Sequence, residues 1–367
     1  MSRFSEFDRK AMARALEIAA RGLYSTDPNP RVGCVITQGE TFVSEGWHTR
    51  AGDPHAEVNA LIGAGSRAAG ATVYVTLEPC SHHGRTPACA DALIAARVRR
   101  VVFALQDPDP RVNGAGAARL RAAGIDVTAG LMADAAAELN IGFVMRTSAM
   151  RPWVRLKQAA SLDGRTALAS GGSRWITGEA AREDVQRWRA RSGAILTGIG
   201  TVLADDPALN VRIGDEPRRQ PLRVVLDSRL RLRPTARMLS EPGPVYVFTT
   251  VDKPTEAEAL ATCGATVEFL PQAGRGVDLQ AVVARLAELD VNELWVEAGA
   301  TLAGALLEAD LVDEWILYLA PKVLGPTARP LLDVAPLQQL AEAKDFAIRE
   351  VRPVGSDLRL ILRPRKS

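Results

Sequence analysis

The chain has 367 residues, 47% of them hydrophobic and 24% charged, and its formal net charge is only +2. The near balance of charge argues against a large basic groove for bulk nucleic acid, and the length predicts two domains. The sequence contains no apolar run of the roughly 20 residues that span a bilayer, and MSRFSEFDRK lacks the pattern of a secretory signal. We therefore expect a cytoplasmic protein with no membrane or nucleic-acid partner.

The first half alternates helical and strand patterns, as in an α/β domain. The predicted elements in chain order are helix 5–22, paired strands 32–36 and 41–46, helix 55–64, strand 71–77, helix 88–98, strand 99–105 and helix 114–124. Gly124 suits the end of the last helix because glycine accepts a left-handed backbone.

Periodicity is weak at 145–152, where we place the boundary between domains 1–148 and 149–367. The second half is again α/β, with a strand starting at 153, helix 179–192 and strands 194–200, 222–227, 245–250, 266–270 and 293–298. DEWILYLAPKVLG, FAIREVRPVG and SDLRLILRP resemble strands joined without helices. This end predicts an antiparallel edge on a mainly parallel sheet.

His55, Cys80 and Cys89 are the candidate metal ligands. Two cysteines beside histidines favour a metal over a disulfide in a reducing compartment. One imidazole and two thiolates give the three protein ligands of a catalytic zinc site. Cys34 and Cys263 stand alone, which favours buried small side chains.

Glu57 follows His55 by two residues and can reach a reactant at the zinc from the first helical turn, as a general acid and base. Asp53 and Pro54 fit the start of this helix as cap and first residue. Cys89 opens the helix predicted over 88–98, where a helix N-terminus favours thiolate.

H-A-E and P-C match the zinc-deaminase signature H-x-E…P-C-x-x-C, but the second cysteine comes late, after SHHGRTPA. The alternative is a structural zinc site with a fourth ligand from His82 or His83. The same inserted segment holds Arg85, and His48 precedes the zinc helix. These groups indicate either an anionic substrate or a solvated polar loop.

The second half contains glycine-rich turns in LTGIGTVLADDPALNVR and VEAGATLAGALL. Backbone amides at a strand-to-helix turn can bind phosphate, but the spacing is not G-x-G-x-x-G, and composition alone favours close packing. Tryptophan side chains more often pack in a protein core than stack on the ring of a ligand, and on residue type alone we expect this of Trp175 and Trp188.

NPRVGCVI, GWHTRAGDPHAEVNAL, VYVTLEPCSHHGRTPAC and ALQDPDPRVNG resemble the first half of the bifunctional riboflavin-biosynthesis deaminase/reductase family. The long gap between the cysteines is that family's form of the motif. The resemblance implies a cytidine-deaminase-like three-layer α/β/α domain, zinc on His55, Cys80 and Cys89, and Glu57 as proton donor. The implied substrate pocket consists of Asn29, His48, His82, Arg85 and Asp107.

KQAASLDGRTA, SGGSRWITG, VVLDS and the two glycine-rich segments resemble the family's second half, which implies an α/β domain like dihydrofolate reductase and NADPH as hydride donor. The implied NADPH contacts are Ala159, Trp175, Thr201, Asp205, Ser228, Gly299, Ala300, Thr301, Leu302, Ala303, Gly304 and Ala305. The implied substrate contacts are Ser173, Arg189, Leu209, Arg212 and Glu297. We add Lys157 as a candidate for binding ribityl oxygens or delivering a proton, with Asp205 as a second candidate.

The resemblance implies deamination of a phosphorylated diaminopyrimidine, followed by NADPH-dependent reduction of its ribosyl side chain, in a homo-oligomer formed through the second domain. Two other hypotheses remain. A nucleic-acid-editing deaminase predicts a basic second domain with exposed aromatic residues, whereas charges here are mixed. A zinc-stabilised binding protein without chemistry would not need Glu57.

Overall fold

The computed structural model describes residues 3–81, 88–110, 112–172, 175–214 and 219–365. Its contacts divide the chain into two compact units, residues 1–150 and 151–367. The division falls just after a helix that ends at Ala149. Within the described ranges, helices long and apolar enough to cross a membrane are absent.

The first unit is a five-stranded sheet between two layers of helices. Its helices are α1 (Glu6–Ala19), α2 (Ala56–Ala64), α3 (Cys89–Ala95), α4 (Ala115–Ala122), α5 (Ala133–Leu139) and α6 (Ile141–Ala149), with 3₁₀ turns at Ala20–Gly22 and Gly65–Ala68. Its strands are β1 (Gly33–Gln38), β2 (Thr41–Trp47), β3 (Thr72–Leu77), β4 (Arg100–Leu105) and β5 (Asp126–Ala129). The sheet order is β2-β1-β3-β4-β5, and β3, β4 and β5 are parallel.

Two apolar clusters cover the faces of this sheet. Alanine and leucine side chains of α2, α3 and α4 pack on one face, and those of α1 and α5 pack on the other. Because β3 is buried at every residue, the helices must cover both of its faces. This layering brings the N-termini of α2 and α3 to the end of β3.

The start of α2 differs from the expectation. His55, rather than Asp53 or Pro54, is the N-cap residue, with extended backbone angles, and the helix begins at Ala56. The Asp53 carboxylate instead accepts a hydrogen bond from Thr49 Oγ1 at 2.9 Å. The helix therefore presents His55 and Glu57 from its very first turn.

The second unit contains a nine-stranded sheet, also with helices on both faces. Its helices are α7 (Glu179–Arg191), α8 (Ile199–Asp205), α9 (Arg237–Ser240), α10 (Pro254–Thr262), α11 (Leu279–Glu288) and α12 (Ala300–Glu308), with a 3₁₀ turn at Leu340–Glu342. Its strands are β6 (Trp153–Ser161), β7 (Arg165–Ala167), β8 (Ala194–Gly198), β9 (Leu222–Leu226), β10 (Val245–Thr249), β11 (Ala265–Phe269), β12 (Gln272–Ala273), β13 (Gly276–Val277), β14 (Glu293–Glu297), β15 (Glu314–Ala320), β16 (Arg329–Pro330), β17 (Phe346–Val354) and β18 (Asp357–Pro364).

The strand order is β11-β10-β9-β8-β14-β6-β15-β18-β17. The first seven strands are parallel, whereas β18 runs antiparallel to β15 and β17 antiparallel to β18. The antiparallel edge expected from the sequence is confirmed. In an open parallel sheet, ligands bind at the carboxyl ends of the strands, and here those are the ends of β6, β14, β8 and β9.

Candidate metal centre and cavity

Three side chains from separate segments meet at the carboxyl end of β3. His55 caps α2, Cys80 follows β3, and Cys89 is the first residue of α3. His55 Nδ1 lies 3.3 Å from Cys89 Sγ and 3.7 Å from Cys80 Sγ. In a tetrahedral zinc site, a nitrogen and a sulfur ligand lie about 3.6 Å apart, given zinc–ligand bonds of about 2.05 and 2.3 Å. The three side chains therefore fit zinc.

The pKa shifts of the Cys80 and Cys89 thiols also support a zinc site. The hydrogen bond from the Cys89 side chain, followed by that from His55, lowers the pKa of Cys80 to about 4, against the opposing effect of burial. The contact with Cys80, together with burial, raises the pKa of Cys89. Because a zinc ion displaces protons and binds thiolates, it can replace the proton that the two sulfurs share.

Glu57 lies beside this centre, 3% exposed, on the first turn of α2. Its Oε2 atom is buried and has no hydrogen-bond partner among the described residues. Burial raises the pKa of Glu57 to about 7, although the charge of His55 opposes the shift. A carboxyl group with such a pKa can both accept and donate a proton near neutral pH.

His48 and Asn29 lie next to the ligands. The His48 ring meets the His55 ring edge-on, with 5.5 Å between centroids. Burial lowers the pKa of His48, so the neutral ring donates from Nδ1 to the carbonyl oxygen of Pro54 at 3.2 Å and accepts at Nε2 from Asn29 Nδ2 at 3.0 Å. This network fixes the Asn29 amide so that its oxygen is free to accept from a ligand.

A cavity of about 1880 Å³ lies in the second unit at the carboxyl ends of the parallel strands. Most of the predicted reductase residues line it: Lys157, Ala159, Trp175, Arg189, Thr201, Asp205, Leu209, Arg212, Ser228, Glu297, Gly299, Ala300, Thr301, Leu302 and Ala305. Its size is well above the range typical of a single small-ligand site. The cavity has room for a dinucleotide and a second molecule.

An ionic cluster forms part of the cavity wall. Arg189 Nε and Nη2 donate to the two carboxylate oxygens of Glu297 at 2.6 and 2.9 Å, and Trp295 Nε1 donates to Glu297 Oε1 at 2.9 Å. Burial alone would raise the pKa of Glu297, but the charges of Arg189 and Lys157 and these hydrogen bonds lower it to about 2. Burial lowers the pKa of Lys157, partly offset by the charge of Glu297.

Two family models match the chain. One, described as the RibD C-terminal domain, matches residues 152–360, and the other, the cytidine and deoxycytidylate deaminase zinc-binding region, matches residues 5–105. The riboflavin biosynthesis protein RibD of Escherichia coli (strain K12) is 51% identical, with 97% of this chain and 99% of that protein covered. The chain belongs to the RibD family.

Solved RibD structures support this assignment. That of Acinetobacter baumannii RibD has a TM-score of 0.92 at 47% identity, and that of a Thermotoga maritima relative has 0.85 at 31%, each covering 98% of this chain and 99% of its own. Like other RibD proteins, the chain is a bifunctional deaminase and NADPH-dependent reductase of riboflavin biosynthesis. The predicted fold class, zinc and NADPH are confirmed.

The match to RibD does not test the individual site residues, which remain predictions. The structure places some of the predicted cofactor residues outside the cavity. Ala303 and Gly304 do not line the cavity, because they lie on the side of α12 that faces the protein interior. Ala303 is fully buried, and a Cβ atom on Gly304 would lie 1.9 Å from the carbonyl oxygen of Asp333. His82, Arg85 and Ser173 lie outside the described residues.

Trp188 and Trp175 differ in their surroundings. Trp188 stacks on Trp295 with 5.8 Å between ring centroids, as expected for packing. Trp175 is 63% exposed and lines the RibD cavity, so the packing role that residue type favours is wrong for it. The Arg182 guanidinium lies 4.6 Å from the centre of the Trp175 ring.

Glu78 lies two residues before Cys80, and the sequence gives it no role of its own. Its carboxylate, 3% exposed, accepts hydrogen bonds from the backbone N–H groups of Gly114 at 2.9 Å and Ala117 at 3.0 Å. It therefore caps α4 from the segment that leads to Cys80. Asp107 belongs to the same network, because its backbone N–H lies 3.4 Å from Glu78 Oε2 and its Oδ1 accepts from Asp109 N at 2.9 Å.

We expect Glu78→Gln to lower the free energy of unfolding by about 1–3 kcal/mol. Both carboxylate oxygens accept from backbone amides, so a glutamine amide must point one N–H₂ group at another donor. Urea unfolding measures the change, with Glu40→Gln as the control because Glu40 is exposed in the turn between β1 and β2. Equal stability of the two variants would contradict the capping role.

Proposed function

We propose that the first unit deaminates 2,5-diamino-6-ribosylamino-4(3H)-pyrimidinone 5′-phosphate and that the second unit then reduces the ribosyl side chain of the product to ribityl with NADPH. The Thermotoga maritima relative is described as a diaminohydroxyphosphoribosylaminopyrimidine deaminase and 5-amino-6-(5-phosphoribosylamino)uracil reductase, which supports these substrates. The observation that carries the first reaction is the unpartnered, buried Oε2 of Glu57 beside the His55–Cys80–Cys89 cluster.

The deamination replaces the ring amine with a carbonyl oxygen from water and releases ammonia. Zinc bound by His55, Cys80 and Cys89 would act as the Lewis acid that activates the water. Glu57 Oε2 takes a proton from the water and delivers it to the departing amine. Its pKa of about 7 suits both transfers. This assignment explains why a carboxyl oxygen without a hydrogen-bond partner among the described residues is kept buried at this position.

The proposed pyrimidine pocket begins at Asn29 and His48. The Asn29 side-chain oxygen is available as an acceptor for a ring N–H or amine because its nitrogen is engaged by His48. Asp107, and His82 and Arg85 from the segment between the cysteines, are proposed to complete the pocket. A histidine and an arginine there suit a phosphate group.

In the second unit, NADPH supplies the hydride, and we propose that the chain positions it with Ala159, Trp175, Thr201, Asp205, Ser228 and the first turn of α12. Reduction of the ribosyl group also needs a proton on the ring oxygen as the sugar opens. Lys157 is the candidate donor, because it lines the cavity beside Glu297 and its pKa is lowered.

Arg189 has three of its five N–H groups engaged, two by Glu297 and one by the carbonyl oxygen of Asn210 at 3.0 Å. We propose that its main role is to hold Glu297 ionised against the ribosyl hydroxyls. Arg212, held through its backbone N–H by Gln186 Oε1 at 2.9 Å, is the better partner for the substrate phosphate. Leu209 would pack against the pyrimidine.

Removal of zinc tests whether the two reactions take place at separate sites. A strong chelator is expected to abolish ammonia release from the diaminopyrimidine phosphate, because His55, Cys80 and Cys89 lose the ion that they hold. NADPH oxidation with the already deaminated pyrimidine should continue, because its proposed residues all lie in the second unit. Loss of both activities in folded protein would contradict separate sites.

We also propose a cytoplasmic homo-oligomer that forms through the second unit. Strand β17 is an edge of the nine-stranded sheet, and its Ile348 and Val351 side chains are 64% and 54% exposed. Exposed apolar residues on an unpaired edge strand favour association. We expect Ile348→Lys to reduce the mass measured by sedimentation equilibrium. Phe42→Lys, at an exposed residue of the first unit, is the control, and an unchanged mass of Ile348→Lys would contradict this surface.

A further inference from the structure

NADPH differs from NADH only by a phosphate on the 2′ oxygen of the adenosine ribose. Selection of NADPH therefore needs a cationic partner for that phosphate, and arginine is the preferred one. We infer that Arg275 binds the 2′-phosphate and sets the preference for NADPH over NADH. The inference rests on the proposed NADPH site in the cavity of the second unit.

The cations that line the cavity within the described ranges are Lys157, Arg182, Arg189, Arg212, Arg237, Arg275 and Arg329. The first five are already engaged. Lys157 and Arg189 belong to the Glu297 cluster, and Arg212, which donates to Asn210, is the proposed partner of the substrate phosphate. Arg182 donates to the Thr177 carbonyl at 3.1 Å, and Arg237 pairs with Glu241 at 3.5 Å.

Arg275 and Arg329 are the exceptions. In the part of the chain that the structure describes, neither side chain has a hydrogen bond or ion pair, and both are exposed. These two are therefore the cavity cations that no other contact or proposed ligand engages, and they are the candidates for the 2′-phosphate. Their positions in the sheet decide between them.

The sheet order sets the direction of a dinucleotide in this cavity. The hydride must be delivered near Lys157 and Ala159 on β6, and the pyrophosphate fits the N-terminus of α12 after β14. The remaining proposed contacts, Thr201 and Ser228, follow β8 and β9. The order β6-β14-β8-β9 spans three strand spacings, about 14 Å, and places the adenosine at the β9 end.

Arg275 lies at the adenosine end. It is in the turn of the β12–β13 hairpin, which directly follows β11 in the chain, and β11 lies beyond β9 and β10 in the sheet order, on the side away from β6. The next acidic residue, Asp278, is engaged as the cap of α11, where its Oδ1 accepts from Gln280 N at 2.8 Å. Its carboxylate is therefore held by the helix.

Arg329 lies at the other end. Its strand, β16, pairs with β7, which directly follows β6. The Arg329 Nη2 atom lies 3.4 Å from the position that a Cβ atom would occupy at Gly171 if this residue had one. It is thus near the β6–β7 side of the cavity, where the nicotinamide is proposed to bind, and it is the matched control for Arg275.

The test compares Arg275→Gln with Arg329→Gln by calorimetric titration with adenosine 2′,5′-bisphosphate and with adenosine 5′-monophosphate. We expect Arg275→Gln to weaken binding of the bisphosphate by about tenfold or more and to leave binding of the monophosphate unchanged. Arg329→Gln should keep the ratio of the two affinities. In turnover, Arg275→Gln should raise KM for NADPH by a similar factor, with kcat and KM for NADH little changed.

An unchanged affinity ratio in Arg275→Gln, or a loss of the ratio in Arg329→Gln, would overturn the inference. Both side chains are exposed, and equal melting temperatures would exclude a folding defect. The proposed function is tested separately by the unaltered protein. If it oxidises NADPH with the deaminated pyrimidine while Arg275→Gln keeps its preference for NADPH, only the role of Arg275 fails.

Discussion

Glu57→Gln is expected to lower the rate of ammonia release by about 10³-fold or more while the zinc content stays near one ion per chain. Glutamine matches the shape of glutamate but can neither accept the proton of the attacking water nor deliver it to the amine. The proposed zinc ligands are His55, Cys80 and Cys89, which lie together without Glu57, so we expect metal binding not to depend on this carboxyl group. Ammonia assay and metal analysis on the same preparation measure both quantities.

The second unit supplies an internal control for this variant. Glu57→Gln should oxidise NADPH at the normal rate when given the deaminated pyrimidine, because Glu57 lies in the first unit. The exposed Glu40→Gln should keep both activities. Retained deamination in Glu57→Gln would remove Glu57 from the proton pathway, and loss of zinc would assign it a role in forming the metal site.

Lys157→Met is expected to lower the rate of NADPH oxidation by about 10²- to 10⁴-fold and to leave ammonia release unchanged. Methionine fills a similar volume but carries no proton to donate to the opening sugar. Lys344→Met is the matched control, because Lys344 is exposed and pairs only with Asp310 among the described residues. Stopped-flow measurement of NADPH absorbance follows the step.

The pH dependence has a defined sign. As the proposed proton donor, Lys157 would act only in its ammonium form, and burial lowers its pKa below the ordinary value of 10.5. The kcat for NADPH oxidation should therefore fall as the pH rises through this lowered pKa. In Lys157→Met, this fall of kcat at high pH should be absent. If the fall of kcat at high pH persists in the variant, the group that titrates is not Lys157.

The zinc site was predictable from the sequence because its chemistry is local. His55 and Glu57 are two residues apart, and a proline-cysteine pair follows a buried strand. The N-cap was wrong because Asp53 is a typical cap by residue type, yet its carboxylate is engaged by Thr49. That choice depends on a contact in the folded loop, which a residue pattern does not contain.

Long-range contacts explain what the sequence reasoning missed. Glu78 caps a helix whose N-cap residue, Gly114, lies 36 residues later in the chain, and no local pattern indicates such pairing. Helix α8 lies within the segment in which the sequence indicates a glycine-rich turn, and it contains Gly200, a residue that disfavours helix. It forms because Ile199 and Val202 are buried in the apolar cluster on one face of the second sheet. Tertiary packing here outweighs local propensity.

The order of the two reactions is tested most directly with the unaltered enzyme, the diaminopyrimidine phosphate and NADPH, by following ammonia and NADPH together. We predict that ammonia appears first and that NADPH oxidation follows after a lag, reaching one NADPH per ammonia. With Glu57→Gln, ammonia release should be absent throughout, and NADPH oxidation should begin only when the deaminated pyrimidine is added. NADPH oxidation from the diaminopyrimidine without prior ammonia release would contradict the account.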